Sequence, residues 1–254
     1  DITFELGSVM NKIEKASVKP TEKASITTIV DNYMDVFLPS TQQIKRAPLM
    51  KGNASAGHLL AEHGLRLFIE IEDSSEHHAY ILDFGRDNIA MPHNISVLEI
   101  DLDKVETFVL SHGHLDHVGA TSEILNQLSM PRDVVVHPDA FTKNRLLKFP
   151  DGTERPLPSF EKGTIESSGC SIVEVESPKL LANGYIATLT NITKLTDFEQ
   201  GMPTAYNKAD GNLNKDDIHD DQGLVINVKD KGLVVITGCG HSGIINTIQF
   251  AQKI

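Results

Sequence analysis

His112-Gly-His114-Leu-Asp116-His117 packs three imidazoles and a carboxylate into six residues. Neutral imidazole and carboxylate are ligand types favoured by zinc and other borderline divalent metals, and residues at i and i+2 just past a strand end can converge on one ion. Asp116 and His117 fall on the next turn and could face a neighbouring ion. The order therefore allows a dinuclear site, in which a bridging water is deprotonated near neutral pH and attacks an electrophile held by both metals. The competing reading is a solvated polar loop, but with 11 His in 254 residues such clustering rarely arises by accident.

A strand must deliver this loop, and Thr107-Phe-Val-Leu110 runs straight into Ser111. Gly119 to Met130 reads as a helix stopped at Pro131, and Asp133-Val-Val-Val-His137 as another buried strand. Strand, helix, strand with β-branched cores argues for a βαβ unit whose strands are covered by helices. Upstream, Ile26 to Val30 reads as a strand, Leu65 to Ile71 and His78 to Asp83 as a hairpin around the turn Glu72 to His77, and Asn94 to Leu102 as a short helix. Residues 140–221, rich in Gly, Pro, Asn and Asp, read as a loop-rich insertion broken by short strands at Ser171 to Glu176 and Ile186 to Thr190. Gly223 to Val228 and Leu233 to Thr237 form a hairpin around Lys229 to Gly232, and Gly238-Cys-Gly-His-Ser-Gly243 then leads into a helix over Ile244 to Ile254. Residues 1–24, polar and rich in Lys and Glu, read as a loosely docked N-terminal extension to a domain over 25–254.

Composition narrows the function classes. A chain of 254 residues buries roughly 70–75% of its unfolded surface and needs no disulfides. Its net charge of −12 argues against a nucleic acid partner bound through a fold-wide basic surface. Cys170 and Cys239 lie far apart, which fits a reducing, cytoplasmic setting. No apolar run approaches the ~18 residues of a membrane helix, no N-terminal signal is evident, and the Asn-X-Ser/Thr triplets at Asn53, Asn94 and Asn191 are not expected to be glycosylated. The chain starts at Asp1 rather than Met and stops at Ile254 within an expected helix, which suggests a trimmed record.

The His-X-His-X-Asp-His run after a strand resembles the metal-binding signature of the metallo-β-lactamase superfamily, and Ile81-Leu-Asp-Phe-Gly85 resembles its early Asp-containing turn. Thr28 to Asn32, Ala61-Glu-His-Gly64, Ser111 to His117, His137-Pro138, Thr196 to Glu199, Asp221-Gln222 and Thr237 to Thr247 are similar, in order, to the dihydropterin-ribofuranosylaminobenzene-phosphate synthase-like group. The resemblance covers residues 26–254. It implies an α/β fold, a four-layer αββα sandwich with metals at one edge between the sheets. It further implies that His112 and His114 bind one metal, that Asp116 and His117 bind the other, and that His241 of the Gly-Cys-X-His loop is another ligand.

Cys239 stands where other branches end a strand with Thr-Gly-Asp, so its thiolate could replace the bridging carboxylate. The alternative is a small buried Cys in a tight turn. His219 or Asp221 could take the place of a third histidine, or be exposed loop residues. Asp83 is expected to orient the ligand histidines rather than to bind metal. His58, His63 and His93 could line the mouth of the site but read more simply as satisfied structural histidines. His77 and His78 read as solvent-exposed, and His137 as structural. Lys194 and Glu199 could recognise an anion or polar substrate group, with a surface loop as the default.

Superfamily members usually continue through another strand and a histidine-bearing loop, so the expected last ligand, with the C-terminal strand and helix unit, lies beyond Ile254. Either the recorded sequence stops short or the second metal is weakly held, vacant or completed by another chain. The resulting expectation is a metal-dependent hydrolase or transferase with one or two Zn2+ ions, Mn2+ or Fe2+ being alternatives. Asp116 would orient the nucleophile and accept its proton. The substrate would be a small phosphorylated, pterin-like or ester molecule; no membrane partner is expected, and a homo-oligomer is compatible. The rival readings are a non-catalytic metal- or ligand-binding protein and a phosphodiesterase or nuclease.

Overall fold

The computed structural model describes residues 17–51, 53–74 and 76–254. In chain order its principal strands are β1 Lys23–Val30, β2 Arg66–Asp73, β3 Glu76–Leu82, β4 Thr107–Val109, β5 Asp133–Val136, β6 Ser171–Glu174, β7 Ile186–Leu189, β8 Gly223–Val228 and β9 Gly232–Thr237. The α-helices are α1 Ala90–Val97, α2 Leu115–Val118, α3 Thr121–Leu125, α4 Lys162–Glu166 and α5 Ile244–Ala251.

A six-stranded sheet runs in the order β6-β5-β4-β3-β2-β1. Its centre is parallel, from β3 through β4 and β5 to β6, and β2 and β1 add antiparallel pairs at one side. A five-stranded sheet pairs β8 with β7 and β9 and adds the short strands Pro20–Thr21 and Leu180–Leu181.

The period-2 alternation of the strands decides which layer each side chain joins. Leu67, Ile69 and Ile71 of β2, Tyr80 and Leu82 of β3, Val109 and Val135 face Leu224, Ile226 and Ile236 between the sheets. Their neighbours Phe68, Ile81, Phe108, Val134 and Val136 turn the other way, onto Met91 and Ile95 of α1, Ile124 and Leu125 of α3, and Ile165 of α4. On the far side, Ala187, Leu189 and Val225 pack under Phe250 and Ala251 of α5. Helices, sheet, sheet and helix make the expected four layers, and each fully buried Leu, Ile or Val adds ~1.5–3 kcal/mol.

Several boundaries differ from the sequence reading. The extension does not run to residue 24: Pro20–Thr21 pairs with β8, β1 starts at Lys23, and Thr21 and Val18 are buried. Residues 1–16 lie outside the described residues. The region 140–221 is not simply an insertion, because β6 completes one sheet and β7 is central to the other. Within it a four-stranded antiparallel sheet is built from Arg145–Lys148, Glu154–Pro156, Ala205–Ala209 and Asn212–Lys215. Helix α1 starts before Asn94, with Pro92 in its first turn where a missing N–H costs nothing. Among the described residues, no helix is long and apolar enough to cross a membrane.

Candidate metal centre

The centre lies where β4 and β9 end beside each other. Past β4, Leu110 N is bonded to Val135 O, and the fully buried Ser111 opens the histidine loop. Asp83, at the end of β3, takes Ser111 N on Oδ1 at 2.6 Å and the Ser111 hydroxyl on Oδ2 at 2.8 Å. Because that hydroxyl hydrogen goes to Asp83, Ser111 Oγ is left to accept from Nδ1–H of His112 at 3.0 Å. His117 Nδ1–H donates to Asp83 Oδ2 at 2.6 Å. Both imidazoles thus turn their Nε2 atoms inward, the arrangement by which outer carboxylates fix the tautomer of metal-binding histidines.

His112 Nε2 lies 3.0 Å from His114 Nδ1 and 3.3 Å from His241 Nε2. His117 Nε2 lies 3.2 Å from Cys239 Sγ and 3.4 Å from Asp116 Oδ2. Among the described residues, donor atoms able to hold a metal ion therefore fall into two groups that share His112: His112, His114 and His241, and His112, His117 and Cys239. Burial, reinforced by the neighbouring imidazoles, drives His112 well below the ordinary histidine range; burial and His241 bring His114 down to about 4. Both are then neutral ligands near pH 7, so the donor set fits a borderline divalent ion.

His117 is held the other way. Burial opposes its charging, but Asp83 and Asp116 outweigh burial and push it up to about 12. A metal on Nε2 would take the place of that proton while Nδ1–H stayed on Asp83. Burial would also raise the Asp116 carboxyl, yet His117 and His63 hold it well below the usual carboxylate range. Cys239 is solvent-exposed, which overturns its reading as a small buried cysteine. Burial of its sulfur would raise the thiol, but hydrogen bonds with His117 and His241 lower it, favouring the thiolate.

The loop that carries these residues is braced by Asp220, Arg145 and Asp216, which the sequence reading missed, and by Gln222 of the Asp221-Gln222 pair. Asp220, fully buried, accepts Gly113 N on Oδ2 at 2.8 Å and binds the Arg145 guanidinium at 2.5 and 3.1 Å. Arg145 Nε lies 2.9 Å from Asp216. Gln222 donates its backbone N to Ser111 O and its side-chain amide to Leu110 O. A Cβ at Gly113 would lie 2.0 Å from Ala140 O, so only glycine fits between the two histidines of the first pair.

Other candidates are placed plainly. Asp221 is buried and accepts Ser242 N at 2.8 Å, bracing the His241 loop, with its other oxygen unpartnered. His219 is exposed and lines a cavity of about 80 Å3 with Lys194, Asn191 and Ser242, outside both donor groups. His63 is exposed, and its Nε2 lies 3.3 Å from Asp116 Oδ2, beside the centre. His93 donates to His58 O at 2.7 Å, and both are exposed. His137 is structural, accepting Asp139 N on Nδ1 and facing Asn191 Oδ1 with Nε2. His77 is exposed, but His78 is buried between Glu106 and Glu76, contrary to expectation.

Fold and site together define an αββα sandwich whose sheet edge carries a histidine-rich centre. The chain belongs to the metallo-beta-lactamase superfamily, whose family model matches residues 68–251. A 7,8-dihydropterin-6-methyl-4-(beta-D-ribofuranosyl)-aminobenzene-5'-phosphate synthase of Methanocaldococcus jannaschii is 28% identical over 198 residues, 76% of this chain. That match spans 66% of the synthase, just under two thirds of its length. An uncharacterized protein of the same organism is 24% identical over 81% of this chain and 73% of its own length. The fold is shared with a crystallised metal-dependent hydrolase of the beta-lactamase superfamily, at a TM-score of 0.61 and 20% identity, over 88% of this chain and 69% of that one.

Proposed function

We propose that this chain is a metal-dependent hydrolase or transferase acting on a small phosphorylated, pterin-like or ester substrate. The observation that carries the reading is the pair of donor groups sharing His112. In it, His112, His114 and His241 hold a first divalent ion, zinc by donor chemistry, with Mn2+ or Fe2+ as alternatives. His112 has one free lone pair, on Nε2, so a second ion would be held by His117 and Cys239 with Asp116, whose Oδ2 lies outside the donor groups but 3.4 Å from His117 Nε2. A bound divalent ion supplies Lewis acidity and lowers the pKa of water towards neutrality.

The chain's own residues do the rest. Asp83 and Ser111 hold the Nδ1 hydrogens of His117 and His112 away from the centre. Asp116, between His117 and His63, would orient an incoming nucleophile by accepting its hydrogen bond and then its proton. The synthase relative supports group transfer as readily as hydrolysis, and the dihydropterin and 5'-phosphate in its name are the substrate features to test first. The net charge of −12 counts against a nucleic acid substrate.

The test is metal content of protein purified without chelator, followed by hydrolysis of bis-nitrophenyl phosphate by wild type and His114→Ala. Metal near one or two equivalents and activity lost in the variant support the reading. Near-zero metal overturns it, and equal activity in the variant overturns the site assignment.

A further inference from the structure

Helix α5 starts just after His241, and its N-cap, Gly243, has φ 95 and no side chain to accept from the first-turn N–H groups. The acceptor comes from a distant loop. Glu199 Oε1 accepts Ile245 N at 2.8 Å, and Oε2 accepts Asn246 N at 2.9 Å and the Thr196 hydroxyl at 3.1 Å. The exchange is reciprocal. Asn246, fully buried, accepts Leu195 N at 2.8 Å and Thr196 N at 3.0 Å on Oδ1, and donates Nδ2 to Ser242 O at 2.8 Å.

This is a capping box made between two segments: an anion satisfies the orphan donors of a helix N-terminus, and a first-turn side chain satisfies the backbone of the segment that brought it. A Cβ at Gly243 would lie 2.4 Å from the Glu199 carboxyl carbon, so the bare glycine lets the carboxylate approach.

Gly240, with φ 65, and Gly243 flank His241, so local backbone preference fixes the imidazole only weakly. Its position is set by two anchors, Asp221 on Ser242 N and the Glu199–Asn246 exchange on α5. We propose that Glu199 is a positioning residue for His241, holding the α5 end of the loop so that Nε2 meets His112 and His114. The proposal rests on His241 being a ligand of the first metal.

The experiment is Co2+ titration of metal-stripped protein, read by the visible Co2+ band and by chelator competition, with melting curves with and without Co2+. Glu199→Ala is expected to bind Co2+ about ten- to a hundredfold more weakly with an altered band. Formate, at a concentration that leaves the wild-type spectrum unchanged, should restore part of the affinity by occupying the freed N–H groups. Glu199→Gln, which keeps an acceptor oxygen, should fall between and carries the test if the alanine variant does not fold. Unchanged affinity and band, with melting temperature lowered equally with and without Co2+, would make Glu199 a plain helix cap and overturn the proposal. If His114→Ala binds Co2+ like wild type, the metal reading itself fails, a result separate from any behaviour of Glu199.

Discussion

His117 Nδ1 lies 2.6 Å from Asp83 Oδ2, with both side chains almost wholly removed from solvent. The same carboxylate takes both donors of Ser111, so one buried anion sets the ring of His117 directly and that of His112 through the Ser111 hydroxyl. Asp83 has φ 67, a left-handed conformation that Asn tolerates as well as Asp.

Asp83→Asn should therefore fold, yet place an amide in a site that needs a full acceptor. Metal affinity is expected to fall about ten- to a hundredfold, with the backbone unchanged by circular dichroism. Chelator competition measures it; wild-type affinity would mean that Asp83 does not orient His117 for metal.

Asp220 offers a stability test of the same loop from the other side. Removing its carboxylate orphans the buried Gly113 N–H and leaves Arg145 with Asp216 as its remaining ion-pair partner, beside its bond to Asp139 O. Asp220→Ala should cost about 3–5 kcal/mol in urea unfolding, the usual penalty for breaking a buried pair. Asp220→Asn, which still accepts from Gly113, should cost less. A loss under about 1 kcal/mol in the alanine variant would show that the cluster does not hold the loop.

Legibility in the sequence followed the range of the interaction. The hairpin of β2 and β3, the strand feeding Ser111 and the β8–β9 hairpin were readable because alternation and turn residues are local. The two histidine-bearing motifs were readable because their candidate donors are packed within a few residues. Strands β6 and β7 read as part of an insertion because their partners lie in other segments and the surrounding Gly, Pro and Asn dominate the local signal. Asp220 and Arg145 carry no local mark at all, and Asn246, though inside the Thr237 to Thr247 motif, shows no sign there of its partners Leu195 and Thr196; Gly113 and Asp220 are 107 positions apart, and only the fold joins them. His78 failed because the alternation of β3 buries it beside Glu106, a residue on the approach to β4.

That buried histidine gives a pH prediction away from the centre. Burial pushes His78 down, but Glu106 at 2.9 Å and Glu76 at 3.2 Å outweigh burial and raise it above 6.5. Folding thus favours the protonated form. The stabilisation is full below the unfolded pKa near 6.5 and is lost as pH rises through the raised folded value. The melting-temperature gap between wild type and His78→Gln should be wider near about pH 6 than near about pH 9. A gap that stays flat across that window would remove these ion pairs from the account. The Tyr80 hydroxyl, which also donates to Glu106, stays protonated throughout because burial and Glu106 raise it.

Cys239 allows the second donor group to be tested by chemistry rather than by affinity. Cys239 is an exposed residue whose Sγ lies 3.2 Å from His117 Nε2, and hydrogen bonds with His117 and His241 lower its pKa against the effect of partial burial of the thiol. Cys170 is buried against the helix layer. Iodoacetamide should therefore alkylate Cys239 first in metal-stripped protein, located by peptide mass spectrometry, because the thiolate is the nucleophile and only one of the two cysteines is exposed. If Cys239 is a ligand, added Zn2+ should slow that alkylation at least about tenfold, since the lone pair that attacks iodoacetamide is the one given to the metal. Cys239→Ser should then keep the first ion, held by His112, His114 and His241, and lose the second, so that bound metal drops by one equivalent. Alkylation at the same rate with saturating Zn2+, together with unchanged metal content in Cys239→Ser, would leave the thiol a bystander at the edge of a centre built from imidazoles and Asp116.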